Sequence, residues 1–254
     1  MLVAYDGAAF HGFAANPGVA TVAGTLAKSM QRILGYEPTL TCAGRTDAGV
    51  HGWGQVVSFD GDLGDSDRLI RSLNALCGPS LVVRSIDVAA DDFDARFSAV
   101  ARTYRYRVLN RDVPDPFVAS TTWHVVDQLD LEAMNRAGRD LVGEHDFGSF
   151  CRKRMVHVGG EEIAASLTRE VSGVEWSRIQ ARFVGDSDTD IIELWISARA
   201  FCHQMVRAIT GTLVDVGRGR IAPDAIPAIL SARDRNAAGP VAPPHGLTLW
   251  SVDY

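Results

Sequence analysis

The sequence predicts an α+β (mixed α/β) chain built as two ferredoxin-like modules with largely antiparallel sheets flanking a cleft. Three observations carry this. The first half reads strand, helix, strand, strand, helix, strand, the split βαβ order that places both helices on one face of an antiparallel sheet. The second half repeats that order loosely. At 254 residues the chain has room for two domains of roughly 100–150 residues. The junction is expected near residues 97–101, giving modules 1–97 and 98–254.

In the first module, Leu2–Tyr5 is a short strand, followed by a polar, glycine-containing loop to about Ala20. Thr21 is the expected N-cap of a helix carrying Val22, Leu26, Met30 and Ile33 at helical spacing. Thr39–Ala43 and Gln55–Phe59 are strand-like. Ser66 is expected to cap a second helix with Leu69, Ile70, Leu73 and Leu76, closed by Gly78-Pro79, and Leu81–Val88 is a strand.

In the second module, Arg102–Leu109 alternates with period 2 and puts arginines on one face of a strand. Pro114 and Pro116 mark a loop, Leu129–Val142 is helical, and Gly143–Phe150 is read as another loop. Arg169–Trp176, Ile179–Val184 and Ile191–Ala198 read as strands. Phe201–Val216 is a helix ended by Gly217 and Gly219, Ile226–Ser231 is a short helix, and Leu247–Tyr254 is a closing strand. The segment Val158–Leu167 fits none of these patterns.

An apolar content of 46% and a charged content of 22% fit a soluble globular protein. No apolar run reaches the roughly 18 residues of a membrane helix, and no signal peptide precedes Tyr5-Asp6-Gly7, so a cytoplasmic protein with no membrane partner is expected. The four cysteines, Cys42, Cys77, Cys151 and Cys202, are widely spaced and include no C-x-x-C pair. A zinc site or disulfide framework is therefore not expected, and all four are read as buried or idle thiols. Cys151 with His145 and His157 matches no common metal spacing, so no metal is expected.

A net charge of −6 argues, taken whole, against a nucleic-acid partner. The distribution says otherwise. Arg96, Arg102, Arg105, Arg107 and Arg111 lie in a stretch without an acid, Arg152-Lys153-Arg154 forms a second cluster, and Arg199, Arg207, Arg218 and Arg220 a third. With only two lysines in the chain, arginine either replaces lysine on ordinary faces or builds a local positive surface. The residues alone leave both readings open.

Between two strands lies Gly44-Arg45-Thr46-Asp47-Ala48-Gly49-Val50-His51. Glycines on both sides of an acid imply a tight turn or a close ligand approach. Arginine and histidine are the residue types that bind phosphate or hold a carboxylate ionised. Asp47 is equally readable as a turn-capping residue or as a functional acid on a scaffolded loop. The functional reading requires distant partners: an arginine such as Arg207 to keep the acid ionised and an aromatic such as Tyr104 to stack a base.

These segments resemble the tRNA pseudouridine synthase A family from end to end. The block around that family's catalytic acid is similar to Gly44–His51 followed by Gly54-Gln55-Val56. Its first strand and turn resemble Tyr5-Asp6-Gly7 with Phe10 and Gly12. Its domain junction resembles Phe93-Asp94-Ala95-Arg96-Phe97-Ser98-Ala99 followed by Arg102-Thr103-Tyr104-Arg105-Tyr106. His145-Asp146-Phe147 with Ser149-Phe150, Met205-Val206-Arg207 with Gly211-Thr212-Leu213, and Ala242-Pro243 with Gly246-Leu247 complete the series in order.

The resemblance implies a pseudouridine synthase fold with a catalytic cleft. The implied enzyme isomerises uridine to pseudouridine in the anticodon arm of tRNA, at positions 38, 39 and 40. It implies a homodimer whose RNA touches both subunits, with no cofactor and no metal. By position, Asp47 is implied as the nucleophile, Arg207 as its partner, Arg45 as the residue that displaces or replaces the extruded base, and Tyr104 as the contact to the target uracil. Arg96, His51, Arg152 and Arg154 are the further candidates for substrate binding. The chemistry suits these residue types, because in every route Asp47 must be ionised, whether it attacks the sugar, attacks the ring or assists elimination.

The sequence departs from the family at several places. Phe13-Ala14-Ala15-Asn16 stands where tryptophan and glutamines are usual, Asp94 where histidine is common, and Gly52 where alanine is usual. Val158–Leu167 looks like an insertion, and no basic arm precedes the first strand, so the start is read as a candidate truncation. Two rivals follow: a related synthase acting on other uridines, and an RNA-binding homologue without catalysis.

Overall fold

The computed structural model describes residues 1–61, 64–152, 155–158, 161–179 and 190–254. The chain is mixed α/β with mostly antiparallel pairing, and it divides into two compact units, Met1–Thr103 with Thr248–Tyr254, and Tyr104–Leu247.

The first unit runs β1 (Leu2–Tyr5), α1 (Val22–Leu34), β2 (Thr41–Cys42), β3 (His51–Ser58), α2 (Ser66–Cys77) and β4 (Leu81–Ser85). β1 is central, antiparallel to β4 on one edge and to β3 on the other. The far edge of β3 is shared. β2 pairs antiparallel with its second half, Thr41↔Ser58 and Cys42↔Val57. The closing strand, Leu247–Asp253, pairs in parallel with its first half, Thr248↔His51 and Leu249↔Gly52.

α1 forms where its periodicity requires. The Thr21 hydroxyl accepts the Gly24 N–H, and Val22, Leu26 and Met30 are buried one turn apart. In α2 the cap is Asp65 rather than Ser66, its carboxylate accepting the Arg68 N–H at 2.9 Å. Either residue type can cap, and the chain turns one position earlier. Leu69, Leu73 and Cys77 make its inner stripe. Both helices cover Val3, Tyr5, Val57, Leu81 and Val83 on one sheet face, where each fully buried aliphatic side chain contributes about 1.5–3 kcal/mol.

The second unit contains β5 (Ala101–Asn110, its first residues counted with the first unit), β6 (Trp123–Val125), α3 (Leu131–Arg139), β7 (Gly143–Asp146), β8 (Met155–Val158), β9 (Glu161–Ala164), β10 (Thr168–Arg178), β11 (Ile191–Ala198), α4 (Met205–Gly217) and α5 (Ile226–Ala232). Its sheet order is β5-β11-β10-β7, with β6 parallel on β5 and a separate β8–β9 hairpin.

Several sequence expectations change here. The Gly143–Phe150 loop begins as a strand, because Gly143–Asp146 pairs with Thr168–Val171. Its composition is poor in β-formers, and the pairing comes from the exposed edge of β10. The unplaced Val158–Leu167 contains β9. The Ile179–Val184 strand falls, beyond Ile179, outside the described residues. The expected helix from Phe201 starts only at Met205, since Gln204 sits in the left-handed region at φ 64°. Cys151 and Cys202 are not idle thiols but are joined as a disulfide with Cα atoms 5.8 Å apart, while Cys42 and Cys77 are free. A separation of 51 residues carries no spacing signal for such a pair.

α4 is buried along almost its whole length, and Gly211 is what lets the chain near Pro240 approach it. A Cβ at 211 would overlap the Pro240 carbonyl oxygen and lie 2.9 Å from its carbon. Gly211→Ala is therefore expected to destabilise the fold by about 1–3 kcal/mol, read as a lower urea-unfolding midpoint followed by circular dichroism.

Candidate active site

The edge of β3 at His51–Gly52 is taken by the closing strand, so the chain between Cys42 and His51 cannot zip into a hairpin there. Residues 43–50 instead form a loop held by side chains from around it. Asp47 opens a four-residue turn closed by the Val50 N–H to the Asp47 carbonyl at 3.1 Å. Gly49 occupies its third position at φ 78°, the left-handed conformation that a type II turn demands there.

Four side chains and one backbone N–H fix the loop. Gln55, fully buried, grips Gly44 from both sides. Its amide nitrogen donates to the Gly44 carbonyl at 2.6 Å, and its oxygen accepts the Gly44 N–H at 3.4 Å. The Tyr5 hydroxyl lies 2.8 Å from the buried Thr46 hydroxyl and 3.4 Å from the Gln55 amide nitrogen. The Thr46 carbonyl accepts the Phe13 N–H. Arg102, a buried arginine, donates to the Ala43 carbonyl at 2.9 and 3.2 Å. At the loop's end, His51 Nδ1 lies 3.1 Å from both the Gly7 nitrogen and the Asp6 carboxylate. A bare Nδ1 accepts the Gly7 N–H, whereas an Nδ1–H, in the other neutral tautomer or in the imidazolium, donates to Asp6.

The anchored residues face inward. Thr46, Val50 and His51 are buried, Asp47 is half-buried, and Arg45 and Ala48 are exposed. Burial pushes the Tyr5 hydroxyl up to about 12, opposed by its hydrogen bonds to Thr46 and Gln55. Burial likewise pushes the Cys42 thiol up to about 11, against the nearby charges of Arg45 and Arg96. Those two arginines therefore act on the same spot at the loop's base.

Of the expected site residues, Asp47, Arg45, His51 and Arg96 lie in the first unit. His51 is 7% exposed and tied to Asp6–Gly7, which gives it an internal role as a loop anchor. In the second unit, Tyr104 is buried with its ring edge-on to Phe201 at 5.1 Å. Arg207, half-buried on α4, donates through Nε to the Ala242 carbonyl at 2.8 Å. Arg152 is exposed and lines a cavity of about 310 Å³ with Gln204 and Arg235. Arg154 lies outside the described residues. Two arginines of the Arg96–Arg111 stretch are otherwise engaged, since Arg105 and Arg107 each place Nε 3.1 Å from the buried Glu193 carboxylate.

Comparison with known proteins decides the class. A family model described as tRNA pseudouridine synthase matches residues 137–254. The tRNA pseudouridine synthase A of Caulobacter vibrioides (strain NA1000 / CB15N) is 40% identical over 256 residues, covering all of this chain and 97% of its own. Those of Bacillus velezensis and Bacillus subtilis are 38% and 36% identical, each covering 99% of this chain and 97% of their own. The chain belongs to the tRNA pseudouridine synthase A family. It is therefore an isomerase. The family model covers most of the second unit and the closing strand, while the full-length relatives also span the Asp47 loop.

Sequence reading missed the frame around that loop: Tyr5, Thr46, Gln55 and Arg102. Gln55 was detectable, because it shares the inward face of β3 with Val57, where a polar residue must have a buried partner.

Tyr5→Phe removes a hydroxyl that both Thr46 and Gln55 use, and is expected to cost about 1–3 kcal/mol at neutral pH. Tyr5 titrates higher in the folded state than its ordinary 10, so its contribution is complete below pH 10 and is lost as pH rises towards about 12. Urea unfolding from pH 9 to 12 is expected to show a shallower alkaline loss in the variant.

Proposed function

We propose that this chain isomerises uridine to pseudouridine in the anticodon stem-loop of tRNA, at positions 38, 39 and 40, with Asp47 as the nucleophile. The observation that carries the reading is a half-buried carboxylate on a loop whose backbone is pinned at Ala43 and Gly44 by buried side chains, with the Thr46 hydroxyl held by Tyr5. A preorganised acid meets its target without reordering the chain during the reaction.

The isomerisation is balanced within the substrate. The bond from the sugar's C1′ to the uracil N1 breaks, a bond from C1′ to C5 forms, the C5 proton leaves and N1 gains one. No redox partner is required. Attack on the sugar, attack on the ring and assisted elimination all use Asp47 as the carboxylate, and Arg207 is the cation proposed to hold it so. A paired uridine must leave its stack, at a cost of a few kcal/mol. Stacking against Tyr104 and occupation of the vacated place by Arg45 are proposed to offset part of that cost, with stacking worth about 1–3 kcal/mol per base.

The remaining parts of the proposal are two ferredoxin-like modules, a homodimer engaging one tRNA through both subunits, cytoplasmic location and independence of cofactors. Arg96 and Arg152, both exposed, are the proposed phosphate contacts within the described residues. A second reading, action on other RNA uridines, draws on Phe13–Asn16. Phe13 is buried in the core and donates to Thr46, so it supports the loop, and only Ala15 and Asn16 are exposed.

Asp47→Asn is expected to lower kcat by at least about 1,000-fold while tRNA affinity stays within about 3-fold. Single-turnover tritium release from [5-³H]uridine tRNA and filter binding measure the two. Sustained turnover would reject the nucleophile, and release from uridines outside 38–40 would favour the second reading. Arg152→Ala is expected to reduce the slope of log affinity against log salt by about 1.

A further inference from the structure

The turn Asp94–Ser98 presents an apolar ring to water from a rigid base. Phe97 is 79% exposed, and the Arg96 guanidinium carbon lies 5.1 Å from its ring centroid. A lone exposed aromatic needs no explanation by itself. The turn beneath it is different. The Asp94 carboxylate accepts the N–H groups of both Arg96 and Phe97, at 2.7 and 2.8 Å. The Asp94 carbonyl accepts the Ser98 N–H, and the Ser98 hydroxyl accepts the Asp94 N–H in return. Ala95 is buried, its N–H held by the Ser58 hydroxyl on β3 and its carbonyl by the Tyr254 hydroxyl.

The same turn is tied to the Asp47 loop by one side chain. Arg102 donates to the carbonyls of Arg96, at 2.6 Å, and Ala99, at 3.4 Å, and with the same guanidinium to Ala43 at the loop's foot. The positions of Phe97 and of the loop that carries Asp47 are thus set by one buried group. Asp94, a negative charge that an RNA phosphate would avoid, is only half-buried but turns one carboxylate oxygen onto two backbone N–H groups of the turn. The outward-facing pair it leaves is a cation and an aromatic ring, the combination that takes an unpaired nucleobase and its phosphate.

We propose that Phe97 is a base-stacking residue for the RNA substrate, holding one unpaired base beside the bound anticodon stem-loop with Arg96 on the adjoining phosphate. The inference rests on the proposed tRNA substrate. Because the turn beneath the ring is already fixed, stacking on it orders only the side chain and no backbone.

The test measures binding of an anticodon stem-loop transcript to the full chain carrying Asp47→Asn, so that turnover does not enter. Adding Phe97→Ala is expected to raise Kd by about 5- to 150-fold with no change in thermal unfolding. Phe97→Tyr or Phe97→Trp in its place is expected to restore affinity. Undiminished affinity in Phe97→Ala, or equal restoration by Phe97→Leu, overturns the stacking role. So does a loss of dimer in sedimentation that accompanies Phe97→Ala, which would assign the ring to an interface between copies. If the Asp47→Asn chain fails to bind the transcript at all, the proposed function falls and this inference with it. If it binds equally with and without the ring, only this inference falls.

Discussion

The parallel pairing of the closing strand with His51 and Gly52 is the constraint on which the candidate site depends. β2 and β3 are neighbours in sequence and antiparallel, so an unoccupied edge would let them extend their ladder towards a tight turn. The closing strand takes that half of the edge. The intervening backbone then loses its ladder partners, and each of its buried polar groups must find another one. Tyr5, Gln55 and Arg102 supply them. The catalytic candidate therefore sits on a loop because a strand from the far end of the chain displaces the hairpin.

The side chains chosen for this task follow from the cost of burial. A net hydrogen bond contributes only about 0.5–1.5 kcal/mol, while a buried polar group left unpaired costs about 1–3 kcal/mol. A frame of this kind is consequently worth more as a constraint than as stabilisation: breaking one link strands its partners. Gln55 shows the economy of an amide, matching the donor and acceptor of one peptide with its own two groups. Arg102 uses its planar fork to gather three carbonyls from two segments. Glu193 solves the converse problem in the second unit, where one buried carboxylate is compensated by Arg105 and Arg107. Burial and the neighbouring Arg107 bring Arg105 down to about 10, which leaves it cationic at neutral pH.

What the sequence makes legible is local. The capped, periodic α1, the strand–helix order of the first unit and the glycine-flanked acid all express short-range rules, and all are found in the expected order, with β3 opening four residues earlier, at His51, and β4 ending three earlier, at Ser85. The features that escaped it are long-range. The Tyr5–Thr46 contact spans 41 residues, Arg102–Ala43 spans 59, and the closing strand reaches β3 across nearly two hundred residues. β7 is a strand because an edge was available, not because Gly-Glu-His-Asp favours one. The arginine-rich face of β5 was visible from its period, but the acid that compensates it lies on β11 and no local pattern links the two. Binary alternation assigns faces; it does not say which polar residues on those faces meet.

The composition of the frame also bears on how the acid is used. A carboxylate with the proposed nucleophilic role has to remain ionised while its position stays fixed across the working pH range. Thr46 and Gln55 do not titrate, Arg102 stays cationic, and Tyr5 keeps its proton to about 12. None of these links changes state near neutrality. His51 closes the frame at the far end of the loop, its Nδ1 standing between the Gly7 N–H and the Asp6 carboxylate. The Asp47 loop is thus held at its start and middle by groups that keep their charge through the neutral range, with His51 beyond the turn that Gly49 closes.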